Sequence, residues 1–499
     1  MRVPVLYGQD DGKGFQNEIR YISGRFQWDL KQDWDGQAEI DFPDTPEEIR
    51  KELLGFLTPE EIDFSLEARF LHSLGKSSPE ILMAKHGKLS RIVDAVIYPK
   101  EEKVQTLLSD LLKHDYRAII YGGGTSVSGS LLPFGKGKIV SIDTKNLRKF
   151  DARENFAIVG SGLRGVEAER AVNKLGLTFG NFPESFLHST VGGWVSTKAT
   201  GQESNYYGGI ENMLLGVKME TSQGTLHDDL VPRESAGLQP KDMALGGDGK
   251  NGLITEVALK TFPGPVNRYF QSRIYNSFYD GIMALSRMRV FPAVARLSDE
   301  METEFALMGA GDSASIRFFR KYISLRGYSK GALLIIMNNN HVVLPEHKYS
   351  MSAGSRPAKS WYKGRYARPG LANILWKSGL VPDTLETSAT WGNIWKLYTE
   401  TRKAFYDFKN GQGFQGEIMA HISHLYRQGA CIYFTFILKG DDELELLQET
   451  RDRLIRTFMA NGGSVTHHHG KGKFFSQYMD PLLLRQQASY EDPLLGGDR

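Results

Sequence analysis

Residues 94–130 place the strongest constraint on the fold. AVIYP is a short apolar run, EEKVQTLLSDLLKHDY repeats apolar residues at Val104, Leu107, Leu108, Leu111 and Leu112, and RAIIY is a second apolar run. Short runs read as strands and the three-to-four spacing between them as one helix face, so the pattern predicts strand, helix, strand. The second strand leads straight into YGGGTSVSGS, residues 121–130. Gly122, Gly123 and Gly124 let the backbone approach a ligand, and Thr125, Ser126 and Ser128 add hydroxyls, a composition suited to a diphosphate nest. The loop is neither G-x-G-x-x-G nor a Walker sequence, so neither a standard nicotinamide fold nor an NTPase is indicated. Taken alone, it also reads as a plain Gly/Ser turn.

At 499 residues the chain is too long for one simple core and predicts two or more domains. A net charge of +2 with 40% hydrophobic residues gives no electrostatic reason to expect a nucleic-acid partner, so any anion site must be local. The single cysteine, Cys431, excludes an intramolecular disulfide and every multi-cysteine zinc or iron–sulfur site, and it fits a reducing compartment. MRVPVLYGQDDGKGF lacks the apolar core of a secretion signal, no window approaches a membrane-spanning run, and LLGGDR is no peroxisomal or other receptor-read address. The expectation is a cytoplasmic protein. Peripheral membrane contact stays open, because an amphipathic surface loop does not show in hydropathy.

Residues 1–89 read as an appendage, with an acidic helix around PDTPEEIRKELLGFL that Asp44 or Thr45 would cap. Residues 90–265 read as a first α+β domain. It continues through GKIVSID, NFAIVGSG and the helix RGVEAERAVNKLG, with Val166, Ala171, Val172 and Leu175 on one side and Gly176 as its stop, to a hairpin in VKMETSQGTLHD. Pro263 and Pro265 mark its end. Residues 266–460 form a second α+β region containing IRFFRKYI, GALLIIMNN and CIYFTFIL, and HKYSMSAGSRPAKSWYKGRYARPG reads there as a long loop or lid. Its last helix carries Leu447, Leu454, Ile455 and Phe458 inward and stops at Asn461-Gly462-Gly463. The C-terminal segment, 461–499, begins with VTHHHGKGK.

FGNFPESFLHSTVGGWVSTKATGQESNYYGGIENMLLGVKMETSQG, with Pro183-Glu184-Ser185, Ser189-Thr190-Val191-Gly192-Gly193, Ala199-Thr200-Gly201 and Tyr207-Gly208, resembles the second flavin-binding segment of the FAD-linked oxidases of the vanillyl-alcohol oxidase type. LGGDGKNGLITEVALK sits where that superfamily has its last cofactor loop. PAVARLSD, LETSATW, GACIYFTF and NGGSVTHHHGKGK narrow the resemblance to the alkyldihydroxyacetonephosphate synthase family, over roughly residues 64–469. The resemblance implies a PCMH-type FAD-binding domain of two α+β subdomains under an α+β cap, FAD as cofactor, and a homodimer. It further implies exchange of the acyl chain of a phosphorylated ketone for a fatty alcohol, as in ether lipid synthesis, through a covalent flavin N5 adduct.

By the same resemblance, Tyr433, His467, His468 and His469 are the catalytic candidates and Arg296 a substrate-side residue. Cofactor contacts fall on Gly122, Gly123, Gly124, Thr125, Ser126, Ser128, Pro183, Glu184, Ser185, Ser189, Thr190, Gly193, Gly201 and Ile254. From the residues alone, CIYFTFIL alternates, with Ile432, Phe434, Phe436 and Leu438 on one face and Cys431, Tyr433 and Thr435 on the other. The histidines, read as a strand, would turn His467 and His469 one way and His468 the other; an i, i+2 pair is a zinc clip only with a third ligand, and the flanking Gly, Lys and Thr offer none, so no metal is expected and proton transfer near Tyr433 is favoured, with a solvated polar patch as the plain alternative. Lys471 and Lys473 would add positive potential.

Three positions depart from the family pattern. Asn181 stands for a histidine near the flavin, Ala372 for the substrate arginine, with Arg365 and Arg368 upstream as candidates to replace it, and Lys250 for a threonine of the last cofactor loop. Two further readings therefore accompany the synthase: a family member that has lost turnover and serves as a binding or assembly subunit, and an FAD-dependent 2-hydroxy acid dehydrogenase or oxidase.

Overall fold

Val104, Leu107, Leu108 and Leu111 are buried on one face of the helix Val104–Lys113, as their spacing predicts, whereas Leu112 is only partly buried. In the computed structural model, which describes residues 1–6, 15–28, 30–309, 314–328 and 331–496, this helix packs on a four-stranded sheet. The strands lie in the order Ile62–Asp63, Ala95–Ile97, Lys138–Asp143, Tyr116–Tyr121, the last three parallel. The Gly-rich loop leaves the carboxyl end of Tyr116–Tyr121, the end at which open α/β sheets hold ligands.

A second, antiparallel sheet follows, in the order Gly224–His227, Leu214–Thr221, Leu253–Lys260, Phe156–Gly160, Phe150–Ala152. Thr221 pairs with Gly224, so the hairpin turns on Ser222-Gln223. The helices Gly165–Asn173 and Val191–Thr197 cover this sheet through Ala168, Val172, Val191, Trp194 and Val195. Residues 266–460 build a seven-stranded antiparallel sheet in the order Ser350–Gly354, Arg268–Tyr275, Ala332–Asn339, Val294–Ser298, Gln415–Leu425, Gly429–Lys439, Val381–Thr390. The long helices Trp391–Gln412 and Glu443–Ala460 lie on one face of it, where Ile394, Leu397, Phe405, Leu447, Leu454 and Phe458 meet Ile432, Phe434, Phe436 and Leu438. Covering one face leaves the other, with Cys431 and Tyr433, to line the site.

The N-terminal stretch is tied to the cap sheet. Ile81 and Leu82 of the helix Ser78–Lys85 join the cap core, Ser78 Oγ donates to the Pro382 carbonyl at 2.8 Å, and Lys85 pairs with Glu443 at 2.7 Å.

Several local expectations differ from what forms. The helix Glu47–Leu54 starts on Pro46, and Thr45 instead donates to the Asp94 carbonyl at 2.5 Å, because a proline already fixes the dihedral angle needed there. Helix Gly165–Asn173 ends before Leu175, which is exposed, and buries Ala168 and Val172. HKYSMSAGSRPAKSWYKGRYARPG is no lid. It supplies the edge strand Ser350–Gly354 and the helix Arg356–Gly364 and begins Arg368–Lys377, with Pro357 and Pro369 in the first turns, where the missing N–H costs nothing. The backbone of IRFFRKYI belongs to the helix Ala314–Leu325, and half of its side chains lie outside the described residues, as do residues 7–14 of the N-terminal stretch and 497–499 of LLGGDR.

The facing of CIYFTFIL is open to test. Phe434→Ala should destabilise the protein by about 3–5 kcal/mol through cavity formation, and Thr435→Ala by under about 1 kcal/mol, in urea unfolding; equal costs would contradict the assignment of faces.

Candidate active site

Three neighbouring strands set one row of side chains. In the register of the cap sheet Tyr433 stands opposite Glu386 on one side and His421 on the other, and directly opposed residues share a face. The alternation that buries Phe434 in the core turns this row away from it. His421 stacks on the Tyr433 ring with centroids 4.5 Å apart and planes at 12°. His424 reaches the same side only because of an irregularity: a bulge between Ser423 and Leu425, with His424 at φ +50°, breaks the strand's alternation.

Glu386 organises the histidine segment. After the helix Glu443–Ala460, the chain is fixed to the sheet edge by Ser464, whose N–H donates to the Ser388 carbonyl at 3.0 Å and whose Oγ accepts the Ser388 N–H at 3.0 Å. The buried Glu386 carboxylate then accepts hydrogen bonds from Thr466 Oγ1 at 2.7 Å, His468 N–H at 3.1 Å and His467 N–H, and lies 3.1 Å from His469 Nδ1. Burial opposes its ionisation, but the surrounding imidazoles of His468, His469 and His467 outweigh burial and hold the carboxyl well below its usual range. Residues 467–469 are a bend and not a strand. The rings of His467 and His468 meet through their Nδ1 atoms at 2.9 Å instead of facing opposite ways, because the carboxylate and not a sheet ladder sets the backbone.

A continuous chain of contacts results. Tyr426 OH lies 2.7 Å from His467 Nε2, and His467 Nδ1 2.9 Å from His468 Nδ1. His468 Nε2 lies 3.2 Å from Tyr433 OH, which is 2.8 Å from His424 Nε2, and His424 Nδ1 is 2.7 Å from Ser204 Oγ. Each imidazole has one N–H and one lone pair when neutral, so the run can be satisfied with every donor pointing one way, or every donor reversed. Reversal moves one proton along the run without creating a charge. Burial pushes the imidazoles of His424 and His468 well below their ordinary pKa and that of His467 down as well, while burial raises the Tyr433 phenol well above its own. Neutral bases therefore face a protonated phenol at neutral pH. Tyr426, His424, His421, Ser204 and Glu386 were not singled out by sequence reasoning; Glu386 sits inside LETSATW, and the bulge at His424 has no sequence mark.

Arg296 lies one ring behind Tyr433. Its Nη2 is 2.5 Å from Glu302 Oε1 and 3.1 Å from His421 Nδ1, so the guanidinium is engaged with a carboxylate. The sequence offers no third metal ligand beside the histidines, but the fold brings two: ligand atoms of Glu386, Cys431, His467 and His468 all lie within 4.8 Å of one another. Both Glu386 oxygens already hold the histidine segment, so a metal would compete with the contacts that shape it.

The three flavin-type segments converge beside this cluster. A Cβ on Gly123 would run into the His188 carbonyl, and one on Gly122 into Thr190 Oγ1, so the first two segments touch through bare backbone. Among the described residues no hydrogen bond to the protein is made by the backbone N–H groups from Gly123 to Val127, and Ser126 Oγ, Ser128 Oγ and Ser130 Oγ cluster beside them. Unpaired donors in series form a nest for an anion. Thr190 Oγ1 caps the helix Val191–Thr197 at Gly193 N–H, 3.3 Å, Ser189 Oγ accepts the Trp194 indole at 2.9 Å, and Pro183 and Ser185 carbonyls close the turn before them. Buried polar atoms without a partner lie on or beside the second and third segments: both amide atoms of Asn181, Ser161 Oγ against Gly192, and Asp248 Oδ1. Gly201 abuts Asn181 and Phe182, and Ile254 is packed in the core of the second sheet. A nest of free donors and orphaned groups around one space fits a dinucleotide such as FAD.

The segment after the histidines closes on this space. Ser128 carbonyl accepts the N–H groups of Lys473 and Phe474 at 3.0 Å, and Gly472 N–H donates to Asp248 Oδ2 at 2.8 Å. Burial raises the Asp248 carboxyl to about 6. Lys471 Nζ donates to Gln487 at 2.9 Å, and Lys250 and Lys471 lie 3.6 and 3.9 Å from Glu491. Arg365 sits among Tyr362, Tyr366 and Phe182, away from any carboxylate partner among the described residues, Ala372 packs against the cap core, and the Arg368 side chain lies outside the described residues.

Comparison with known proteins agrees with this geometry. Residues 93–229 match the FAD binding domain family, and residues 282–482 match the C-terminal domain of FAD linked oxidases. An alkyldihydroxyacetonephosphate synthase of Dictyostelium discoideum is 30% identical over 464 residues, covering 87% of this chain and 76% of that protein. One of Trypanosoma brucei brucei is 27% identical over 452 residues, covering 84% and 74%. A solved alkyldihydroxyacetonephosphate synthase superposes with a TM-score of 0.81 at 26% identity, over 96% of this chain and 91% of that one.

Glu386 and the histidines make stability depend on pH in a stated direction. Because the folded pKa values of His424 and His468 are depressed, the unfolded chain takes up protons that the folded one refuses, and stability should fall as pH drops from about 7 towards 5. Glu386→Gln should cost about 3 kcal/mol at neutral pH, since the amide offers one acceptor and presents N–H groups to backbone donors. Urea unfolding across pH measures both; a flat profile, or a Gln variant as stable as the parent, would remove Glu386 from the role described.

Proposed function

The chain belongs to the alkyldihydroxyacetonephosphate synthase family, and on that premise we propose that it exchanges the acyl chain of an acyl-dihydroxyacetone phosphate for a fatty alcohol. The observation that carries this reading is the Tyr433 hydroxyl held between His424 Nε2 and His468 Nε2 at the centre of a neutral relay.

FAD, when bound, supplies an electron-accepting ring nitrogen, N5, to anchor the substrate carbon while one chain leaves and the other enters. The protein supplies the proton steps. A neutral imidazole of the relay takes the proton from the substrate carbon and later returns it. As the C–O bond to the acyl group breaks, the fatty carboxylate leaves with the electron pair, and the Tyr433 phenol, kept protonated by burial, donates to it. The incoming alcohol gives its hydroxyl proton to the relay as its oxygen bonds to the carbon. Two protons are received, from the substrate carbon and the alcohol, and two are given, to the carboxylate and back to the carbon, so the run from Tyr426 to Ser204 ends as it began. Glu386, held ionised, keeps His467 and His468 in line with Tyr433 without itself titrating near neutral pH.

Asn181 and Ala372 favour a second reading, a binding subunit without turnover, since neither can move a proton or pair with an anion. One experiment separates them. The FAD-loaded protein should incorporate labelled hexadecanol into an ether product, and Tyr433→Phe should lower the rate by about 100-fold or more with the flavin spectrum unchanged. Full alkyl transfer by the Phe variant would reject the role of Tyr433, and a flavin-loaded parent without transfer would leave the binding subunit.

A further inference from the structure

Between the flavin-binding half and the cap lies a cavity of about 260 Å³, lined by Val166, Phe182, Phe186, Arg268, Tyr362 and Arg365 among others. That is below the roughly 300–1,000 Å³ of sites for drug-sized ligands, and it suits one small headgroup. Along the same seam, buried side-chain atoms without a hydrogen-bond partner accumulate from both halves: both amide atoms of Asn181 and Gln202 Oε1 on one side, Asn339 Oδ1, Arg365 Nε and Tyr366 OH on the other. Buried polar atoms are almost always satisfied, so such a concentration marks a place that something else completes.

The charges identify what that is. Arg365 lies 3.8 Å from the Tyr362 ring centroid, 4.8 Å from that of Tyr366 and 5.7 Å from that of Phe182, with no carboxylate paired to it among the described residues. Two acids share the seam: Glu203 Oε2 holds Asn339 Nδ2 at 3.0 Å while its Oε1, without a hydrogen bond, lies 3.5 Å from Arg268, and Glu169, in the lining, accepts from Thr178 Oγ1 at 2.5 Å and Phe179 N–H at 3.1 Å. Arg170 adds a third guanidinium to the lining. A guanidinium boxed by rings and only partly exposed favours a flat, two-point contact with a phosphate or carboxylate. The amide groups around it offer both donors and acceptors, which a bare phosphate would not satisfy and a phosphate ester with a free hydroxyl would.

The seam adjoins the catalytic row. Gln202 Nε2 donates to the Arg365 carbonyl at 3.5 Å, and Ser204, two residues on, contacts His424 at 2.7 Å. We propose that this seam is the subsite for the phosphorylated three-carbon headgroup of the substrate, with Arg365 as its anion partner and Gln202, Asn181 and Tyr366 as its hydroxyl and phosphate contacts; this rests on the function proposed above. Arg365 thus takes the charge that Ala372 cannot carry.

Calorimetric titration of the FAD-loaded protein with dihydroxyacetone phosphate, glycerol and inorganic phosphate tests it. Dihydroxyacetone phosphate should bind more tightly than either fragment. Arg365→Ala should weaken it on the order of 30-fold or more, Arg365→Lys less, and Gln202→Leu should lower the preference over inorganic phosphate, all with the parent's flavin spectrum and unfolding midpoint. Arg365→Ala and Arg365→Lys both binding with parental affinity would overturn the subsite while alkyl transfer, if present, leaves the proposed function standing. A parent that binds none of the three and transfers no alkyl chain overturns both.

Discussion

One buried carboxylate decides whether the rest of the site exists. Residues 464–470 form no ladder and no helix, so their backbone donors need an acceptor from elsewhere, and Glu386 provides it on both oxygens. A lone buried anion would protonate; this one stays charged because donors surround it. The same contacts that satisfy the anion point His467 and His468 at each other and His468 at Tyr433. Fold stability and proton transfer therefore draw on a single interaction.

The second dependence is on the junction between halves. Ser204 meets His424, Asn205 Oδ1 accepts Leu425 N–H at 2.7 Å, and Glu203 joins Asn339 and Arg268, so three consecutive residues of the flavin-binding half bond to the cap. The chain's last stretch returns the link: Asp492 accepts from Ser222 N–H at 2.7 Å and Ser222 Oγ at 2.8 Å, while Leu494 and Leu495 enter the core of the first sheet. The histidine segment is thus held at its start by the cap and at its end by the cofactor half, which fixes its position relative to both.

Sequence period carried much of this. The two-residue alternation of CIYFTFIL fixed the facing of Tyr433, the three-to-four spacing of residues 104–111 fixed the crossover helix, and the glycines of residues 122–124 marked the backbone contact between segments. Long-range pairing was beyond its reach. Glu386 becomes a partner of residues about 80 positions away only through sheet register, and His424 reaches the row only through a bulge. The strand-like alternation expected for the three histidines failed for the same reason, since a distant carboxylate overrides local pattern. Pro357 and Pro369 looked like loop residues in a basic stretch, yet in the first turn of a helix they help start it.

The three departures from the family pattern differ in physical weight. Lys250 is absorbed: its ammonium pairs with Glu491, and its carbonyl accepts the Asp492 N–H at 2.8 Å, so the substitution anchors the chain's end to the third segment. Asn181 loses an imidazole, but the relay keeps His424, His467 and His468 in contact with one another through Tyr433, and a neutral amide beside the cofactor space still donates and accepts. Ala372 is the heavier loss, because packing against the apolar core leaves no group there to meet a charge. A chain that still binds an anionic headgroup must bring its cation from another element. Arg365, on the turn between Arg356–Gly364 and the helix that carries Ala372, offers a guanidinium with aromatic walls and no carboxylate on it among the described residues.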